Sequence, residues 1–317
     1  MSSDNTWLLE HRKNHHSQTG EDGVVGKILE ALPGTDRWCV EFGAGDGELF
    51  SNTCHLIEAH GYSAVLIEPD PEKFRSLDRR YQGYPDVHRF QLRVGLGAED
   101  GLDAILGRTP IPEDFDFLSI DIDGNDWHVW KSLSRYSPKL VCIEYNPTIP
   151  TEVRFVQDPD PGLAQGCSLL ALVELGRQKG YELACVLPVN AIFVREDLFP
   201  LLEIDDNSPH ELRVFNDAVT WVFQTYDGEV RLTGYRKFLW HQLPMPAHAV
   251  RSVPWWLRGF PGSFGPVRRA IWALYGLIRA PGTWRELLRR RWAGTWDGIP
   301  PELDWKPPAR PREDEDR

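Results

Sequence analysis

The fold is indicated by residues 40–47, which read VEFGAGDG. The apolar strand pattern Trp38–Phe42 runs into this glycine-rich turn, and a helical pattern follows it. Glycines let the chain turn sharply and let a ligand approach the backbone closely. The dinucleotide fingerprint G-x-G-x-x-G is incomplete because Glu48 occupies the third glycine position, and no P-loop Gly-Lys-Ser/Thr follows. The acids Glu41 and Asp46 would repel a pyrophosphate and suit a ligand with an amino or sulfonium cation.

Strand and helix patterns alternate on both sides of this turn. The other predicted parallel strands are residues 63–67, 90–94, 117–121 and 140–144, and the predicted helices are 49–60, 72–81 and 168–179. A strand about every 25 residues is typical of βαβ units in a doubly wound sheet. Residues 182–187 and 191–195 form two strands joined by a short turn, which makes them antiparallel neighbours. The sequence therefore predicts an α/β fold with a doubly wound, mostly parallel sheet and an antiparallel last strand.

The pattern changes after residue 203. We predict a ligand-binding domain over residues 1–203 and a C-terminal extension over residues 204–317. In the extension, strands 219–224 and 229–233 flank Asp227-Gly228, a strong hairpin turn signal. Short helices are expected at 268–278 and 284–292, and the charged last residues are expected to be disordered.

Composition and charge exclude several classes of protein. The net charge of −12 argues against nucleic acid as the main ligand. No apolar run has the length of a membrane span and the N-terminus lacks the apolar core of a secretory signal, so a cytoplasmic protein is expected. The five cysteines include no CxxC pair, which indicates neither a disulfide framework nor a zinc ribbon.

Residues 251–295 are basic and rich in Trp, with nine Arg and one Glu. One interpretation is peripheral contact with the inner face of a membrane, because Arg and Trp favour the bilayer interface. The other is packing on the acidic body or on a second subunit of a homo-oligomer. RNA binding is a weaker third hypothesis.

The second predicted strand ends in Ile67-Glu68-Pro69-Asp70. An acid about 25 residues beyond the glycines can accept hydrogen bonds from both hydroxyls of an adenosine ribose. Glu68 is the predicted ribose ligand. Asp70 is either a second such acid or a solvated loop charge.

Five motifs occur in a specific order. They are SQTGEDG at 17–23, EFGAGDG at 41–47 with SNT at 51–53, IEP at 67–69, LSIDIDGND at 118–126 and IEYN at 143–146. Their order and spacing over about residues 14–202 resemble FkbM-type S-adenosylmethionine-dependent methyltransferases. The resemblance implies the class I methyltransferase fold with an antiparallel last strand, S-adenosylmethionine as cofactor, and O-methylation of a sugar or natural-product hydroxyl.

The resemblance also implies roles for particular residues. Gly43 and Gly45 would line the methionine part of the cofactor, Glu68 would hold the ribose, and Asp121 would lie near the methionine amine. Asn52 matches the Ser-Asn-Thr element that opens the first helix. The complete predicted cofactor-binding set is Glu41, Gly43, Gly45, Asp46, Asn52, Glu68 and Asp121.

A hydroxyl acceptor must lose its proton during methyl transfer, so a base is expected. The candidates are His128, Asp123 and Glu144, with Asp126 beside them, all predicted at the carboxyl ends of the fourth and fifth strands. His128, which stands where relatives often carry a second aromatic residue, has the most suitable ordinary pKa, ~6.5; otherwise it is a packing histidine.

Other side chains near these motifs leave alternatives open. Asp121, Asp123 and Glu144, with Asn146 close by, could instead hold Mg²⁺, or they could position the cofactor amine and cap helices. Trp127 and Trp130 either stack on a sugar or pack in the core. His15 and His16 either cover the acceptor pocket or are simply exposed.

The leading hypothesis is an O-methyltransferase acting on a sugar or glycan hydroxyl, including that of a lipid-linked glycan. The alternatives are a methyltransferase of a small natural product or amine, and a non-catalytic membrane-associated scaffold that keeps the cofactor fold.

Overall fold

The computed structural model describes residues 4–245 and 253–279. Its strands are β1 Trp38–Phe42, β2 Ser63–Ile67, β3 Val87–Phe90, β4 Phe117–Ile120, β5 Leu140–Glu144, β6 Tyr181–Val186, β7 Asn190–Arg195, β8 Thr220–Gln224 and β9 Val230–Gly234. Its α-helices are α1 Glu21–Ala31, α2 Cys54–His60, α3 Pro71–Tyr81, α4 Leu102–Leu106, α5 Asp126–Ser132, α6 Leu169–Gln178, α7 Pro209–Leu212 and α8 Pro266–Arg279. Short 3-10 helices lie at Trp7–His11, Phe199–Leu202, Trp255–Leu257 and Pro261–Ser263.

The main sheet has seven strands in the order β3-β2-β1-β4-β5-β7-β6. The strands β1 to β5 are parallel, whereas β7 runs antiparallel to both β5 and β6. This confirms the predicted α/β fold and its antiparallel strand. Strand β1 lies between β2 and β4, so the strand order reverses there and a crevice opens at the carboxyl edge.

The central strands are buried on both faces. Residues Leu140 to Ile143 of β5 have no solvent exposure, which is typical of parallel strands covered by helices. The five cysteines are buried and unpaired.

Two predicted elements are shifted. The third strand is Val87–Phe90 rather than 90–94, because its partner β2 ends at Ile67, directly opposite Phe90, and leaves later residues without a strand to pair with. Helix α2 begins at Cys54 rather than at residue 49. Leu49 and Phe50 before it are exposed and do not continue the buried helical face.

Helices α3 and α6 begin and end at residues whose chemistry suits those positions. The side chain of Asp70 accepts hydrogen bonds from the amides of Glu72 and Lys73 at the start of α3. The side chain of Ser168 caps α6 in the same way, and Gly180 after that helix has a φ of +77°. These signals explain why both helices agree closely with their predicted positions.

The chain divides into two compact units. Of the residues that the structure describes, the first comprises 4–221 and 233–245, and the second comprises 222–232 and 253–279. The first unit thus continues beyond residue 203, where the sequence pattern changes, and Leu212 and Val219 are buried within it.

The C-terminal hairpin and one C-terminal helix are present. Strands β8 and β9 pair around Gly228, which has a φ of +82°, as expected for the Asp-Gly turn. Helix α8 covers the predicted helix 268–278, whereas the predicted helix 284–292 and the charged terminus lie outside the described residues. Within residues 4–245 and 253–279, no helix is both long and apolar enough to cross a bilayer.

Candidate active site

The glycine turn after β1 is held against both neighbouring strands. The amides of Gly43 and Ala44 donate to the carbonyl oxygen of Ile67, at 3.1 and 3.2 Å. Gly43 has a φ of +78°, and a Cβ there would lie 1.7 Å from the carbonyl oxygen of Asp121. Only glycine meets both requirements without a backbone shift, so the turn keeps its shape at the crevice.

Glu68, after β2, is buried and holds the same turn from the other side. Its Oε2 accepts a 2.8 Å hydrogen bond from the Gly45 amide, and its Oε1 accepts a 2.7 Å bond from the Asp70 amide. A carboxylate has about four acceptor positions, so Glu68 can accept two more hydrogen bonds from a ligand. Asp70 does not line the cavity described below; its carboxylate caps α3, and the α3 amides lower its pKa.

Three residues of the predicted cofactor set support the turn instead of lining the cavity. The buried Glu41 carboxylate accepts hydrogen bonds from the Ser51 and Thr53 hydroxyls and from the Asn52 amide, at 2.6–2.7 Å. Asn52 donates from Nδ2 to Ser119, and Asp46 accepts from two amides of its own turn. The structure therefore places Glu41, Asn52 and Asp46 outside the cavity lining, where they hold the segment that follows the glycines.

A cavity of about 530 Å³ opens over this turn. Gly43, Gly45, Glu68 and Asp121 of the predicted set line it. Its other polar and aromatic lining side chains are Gln18, Phe42, Phe50, Lys73, Arg93, Asp123, Asn125, Glu144 and Trp240. The volume lies within the ~300–1,000 Å³ usual for small-molecule sites.

Carboxyl groups converge where β4 and β5 end. One oxygen from each of Asp121, Asp123 and Glu144 lies within 4.8 Å of the others. Burial, followed by the neighbouring carboxylates, raises the pKa of Asp121 to about 7 and that of Glu144 to about 10. At neutral pH Glu144 therefore keeps its proton, which removes part of the repulsion within the cluster.

Asp126 stabilises the turn that carries Asp123. Its buried carboxylate accepts hydrogen bonds of 2.9 Å from the amides of Ile122 and Gly124. Burial raises the pKa of Asp126 to about 6, although these two amides oppose the shift. Asp123 itself has a φ of +57°, a backbone conformation that Asp and Asn tolerate better than other non-glycine residues.

A second cavity, of about 330 Å³, adjoins the first. The two share Asp123, Glu144 and Trp240 as lining residues, so they meet at the carboxyl cluster. The second is also lined by Asp126, Tyr145, Asn146, His241 and residues 164–166, and no Lys or Arg is among its described lining residues. A ligand in one cavity can therefore reach a ligand in the other beside Asp123.

His128 lines neither cavity. Its Nε2 lies 2.8 Å from the Gln157 carbonyl oxygen, which can only accept, so the ring donates to the backbone there. The Gln157 side chain in turn donates to Asn125 and Leu163 and accepts from the amides of Gln165 and Gly166. His128 and Gln157 thus hold the loop that lines both cavities. Of the four candidate bases, the structure brings Asp123, Asp126 and Glu144 to the cavities and leaves His128 outside them.

The aromatic pair Trp127 and Trp130 packs inside the protein. Trp130 is fully buried against Tyr181 and Phe193, and the Trp127 indole donates to the Ala171 carbonyl oxygen. The core-packing interpretation is therefore correct for this pair. Among the described lining residues, two aromatic side chains are exposed: Trp240, with 62% of its surface accessible, lines both cavities, and Phe50, with 55% accessible, lines the first.

His15 and His16 also lie away from these two cavities. The His15 ring stacks on His55 with centroids 3.7 Å apart, and both line a separate groove between α1 and α2. The backbone amides of His15 and His16 donate to the carboxylate of Asp22. His15 and His16 therefore cover neither of these two cavities.

Sequence reasoning missed Trp240, His241 and Gln157. Trp240 and His241 lie about a hundred residues beyond Glu144, and no motif connects them to it. Gln157 follows β5 in a loop without a regular pattern. Gln18, which lines the first cavity, belongs to the SQTGEDG motif, and that motif was the signal available for it.

No protein-family model and no curated protein sequence matches this chain. Among solved structures, the chain is similar to the N-terminal domain of EvdMO1 with SAH bound, at 15% identity and a TM-score of 0.39, over 57% of this chain and 84% of that one. It is similar to magnesium protoporphyrin IX methyltransferase (ChlM) from Synechocystis PCC 6803 with bound SAM, at 11% identity and a TM-score of 0.37, over 55% and 77% of the two chains. It is also similar to monomeric WbdD, at 18% identity and a TM-score of 0.35, over 54% and 38%.

Proposed function

We propose that this protein is an S-adenosylmethionine-dependent O-methyltransferase of the FkbM type that acts in the cytoplasm on a hydroxyl of a sugar, glycan or related metabolite. The observation that carries the proposal is the buried Glu68 carboxylate, held by the Gly45 amide in a cavity that meets a second cavity at Asp123 and Glu144. One cavity suits the cofactor and the other suits the acceptor.

The residues of the first cavity fit this cofactor in charge and shape. Glu68 can accept both ribose hydroxyls, since a carboxylate can be a bidentate acceptor. Gly43 and Gly45 have no side chains and leave room for the methionine part beside the turn. Asp121 would attract the methionine amine. When bound, S-adenosylmethionine supplies a methyl group on a sulfonium, whose leaving group needs no acid.

Asp123 is our candidate for the base. It lies where the two cavities meet, and its carboxylate can reach an acceptor hydroxyl from the second cavity. Glu144 already holds its proton at neutral pH because burial and Asp121 raise its pKa to about 10. A protonated carboxyl cannot accept another proton, but it can donate a hydrogen bond that orients the acceptor.

The second cavity also favours a particular charge on the acceptor. Its described lining residues include Asp123, Asp126 and Glu144 without a Lys or Arg. A phosphate or carboxylate acceptor would be repelled there. A neutral sugar that lies against Trp240 fits, and an amino sugar or other amine is the second candidate because its ammonium would be attracted.

Calorimetry with S-adenosylhomocysteine tests the cofactor assignment. Glu68→Gln removes the charge of the ribose acceptor, so the affinity should fall roughly ten-fold or more, since each charge-assisted hydrogen bond is worth ~1.5–3 kcal/mol. The matched control is Glu72→Gln, an exposed acid nearby at the start of α3 that does not line the cavity. Equal affinities for both variants, or tighter binding of NAD than of S-adenosylhomocysteine, would overturn the assignment.

A paired acceptor screen tests the acceptor class. Neutral glycosides, matched amino glycosides and nucleotide sugars are incubated with S-adenosylmethionine, and methylated products are identified by mass spectrometry. Methylation of neutral glycosides on oxygen supports the proposal. Methylation of the amine alone supports the second candidate, and a preference for nucleotide sugars contradicts both. Cofactor binding without turnover on any class would favour the scaffold alternative.

A further inference from the structure

Helix α8 carries a continuous apolar face that is open to solvent. Val267, Ile271, Leu274 and Ile278 follow one another at intervals of four, three and four residues, which places them on one side of the helix. They are all exposed, with 74% of Val267 and 69% of Ile278 accessible. We call these four residues the apolar stripe. A helix in water normally turns such a face inward, so the stripe calls for an apolar occupant.

An aromatic segment just before the helix is exposed in the same way. Trp255, Trp256 and Phe260 all have half or more of their surface accessible, and 79% of Trp255 is accessible. The guanidinium of Arg268 in α8 donates to the carbonyl oxygens of Trp256 and Arg258. The same guanidinium lies over the Phe264 ring, 4.3 Å from its centroid. These contacts hold the aromatic segment and the start of α8 together.

Every charged residue within the segment 253–279 is an arginine. Residues 253–279 contain Arg258, Arg268, Arg269 and Arg279 and no Asp or Glu. Arg258 pairs with Glu229, but Arg269 and Arg279 lie on the helix beside an uncharged stripe. A second copy of this surface would bring arginines against arginines, which disfavours self-association.

From the stripe, the aromatic segment and the arginines together, we propose that residues 255–278 form a docking surface for an anionic lipid bilayer. The stripe and the aromatic side chains enter the boundary between head groups and acyl chains, and the arginines contact anionic head groups. Amphipathic helices with Arg and exposed Trp bind the interface without crossing it. This contact does not depend on the proposed methyl transfer, so it can be tested without cofactor or acceptor.

Co-sedimentation of the full chain with vesicles tests the proposal. The vesicles are phosphatidylcholine alone or phosphatidylcholine mixed with phosphatidylglycerol. We expect the wild-type chain to pellet with the mixed vesicles at low salt, and salt should weaken this binding only in part because apolar burial is not screened. The affinity of the variant Ile271→Asp/Leu274→Asp for the mixed vesicles should fall by roughly ten-fold or more, because it places two charges in the apolar boundary. Ile271→Leu should bind as the wild type does.

The control is Leu201→Asp, the same change at an exposed leucine of the first compact unit. Circular dichroism and the affinity for S-adenosylhomocysteine show whether each variant is folded. A wild-type chain that stays in the supernatant with both vesicles would overturn the proposal. An equal loss of vesicle binding in Leu201→Asp and in the stripe variant would overturn it too. So would a wild-type chain that is dimeric in solution and becomes monomeric in the stripe variant. If S-adenosylhomocysteine fails to bind but the stripe still governs pelleting, the proposed function fails and the docking surface stands.

Discussion

The glycine at position 43 lies directly against the carbonyl oxygen of Asp121, so that a Cβ atom there would approach it to 1.7 Å. This contact joins the turn after β1 to the end of β4. It brings the candidate cofactor turn to the carboxyl cluster, because Asp121 is itself a member of that cluster.

Gly43→Ala should destabilise the fold and weaken cofactor binding together. The new Cβ must displace backbone, and alanine must adopt a φ of +78°, so we expect a loss of roughly 2–4 kcal/mol in the free energy of unfolding. Gly34→Ala is the matched control, since Gly34 has a φ of +64° with no atom within 4 Å of its Cβ position. It should lose only about 1 kcal/mol. Urea denaturation measures both, and equal losses would contradict the steric argument.

Asp123→Asn should remove catalysis and leave the fold and the cofactor affinity intact. Asparagine tolerates the left-handed backbone of this position, where φ is +57°, and has almost the same shape. We expect the turnover number to fall by ~10²–10⁴, the usual contribution of a positioned base. His128→Asn should lose far less turnover than Asp123→Asn, because His128 lines neither cavity and acts only through its hydrogen bond to the loop that lines them.

Single-turnover kinetics on both variants give the comparison. A full loss in His128→Asn with normal turnover in Asp123→Asn would reverse the assignment. If a chelator abolishes wild-type turnover and Mg²⁺ restores it, Asp121, Asp123 and Glu144 act as metal ligands instead. This is the Mg²⁺ alternative that the sequence also allows.

Asp121 should make stability depend on pH. Burial and the nearby carboxylates raise its pKa to about 7, from an ordinary value of 3.8. Between these two values the folded state binds more protons than the unfolded state, so the free energy of unfolding should fall as pH rises from about 4 to about 7. Asp121→Asn should flatten the profile in this window. Urea denaturation at several pH values measures the free energy of unfolding of the wild type and of the variant. The difference between the two would be constant across this window if Asp121 titrated normally.

The affinity for the cofactor should also depend on the ionisation of Asp121, but it should rise with pH where the stability falls. The ionised form of Asp121 attracts the methionine amine, so the affinity for S-adenosylhomocysteine should rise as pH increases towards and past about 7. The variant Asp121→Asn should lose this dependence. Calorimetry across the range measures it, and a parallel slope in both proteins would assign the effect to another group.

Lys139→Met should be among the most destabilising single changes in the body of the protein. The Lys139 Nζ lies 2.6 Å from the Asp116 carboxylate, and Asp116 has no solvent exposure. Removal of the cation leaves a buried, unpaired carboxylate, which costs about 3–5 kcal/mol. Lys27→Met removes a surface pair with Glu30 and should cost ~0–1 kcal/mol. The amides of Asp36 and Arg37 also donate to Asp116. Urea denaturation measures both variants, and similar losses would show that these two amides alone compensate the Asp116 charge.

The sequence alone determined the sheet and part of the candidate site. Apolar strand patterns and glycine positions reflect local backbone preferences, and for that reason β1, β2 and β5 agree with their predicted bounds. Parallel strands share a carboxyl edge, so the sequence predicts that the residues that end β1, β2, β4 and β5 lie together. Gly43, Glu68, Asp121 and Glu144 do meet there.

Only the tertiary structure decided which of the polar residues face the cavities. Glu41 and Asn52 share a motif with Gly43 and Gly45, yet their hydrogen bonds turn them into the protein behind the turn. His128 lies only five residues after Asp123, but the helical position of His128 directs its ring to the Gln157 carbonyl. Trp240 reaches the cavities from far along the chain. Side-chain direction and long-range contacts depend on packing and hydrogen-bond partners distant in sequence, and these are absent from a local pattern of residues.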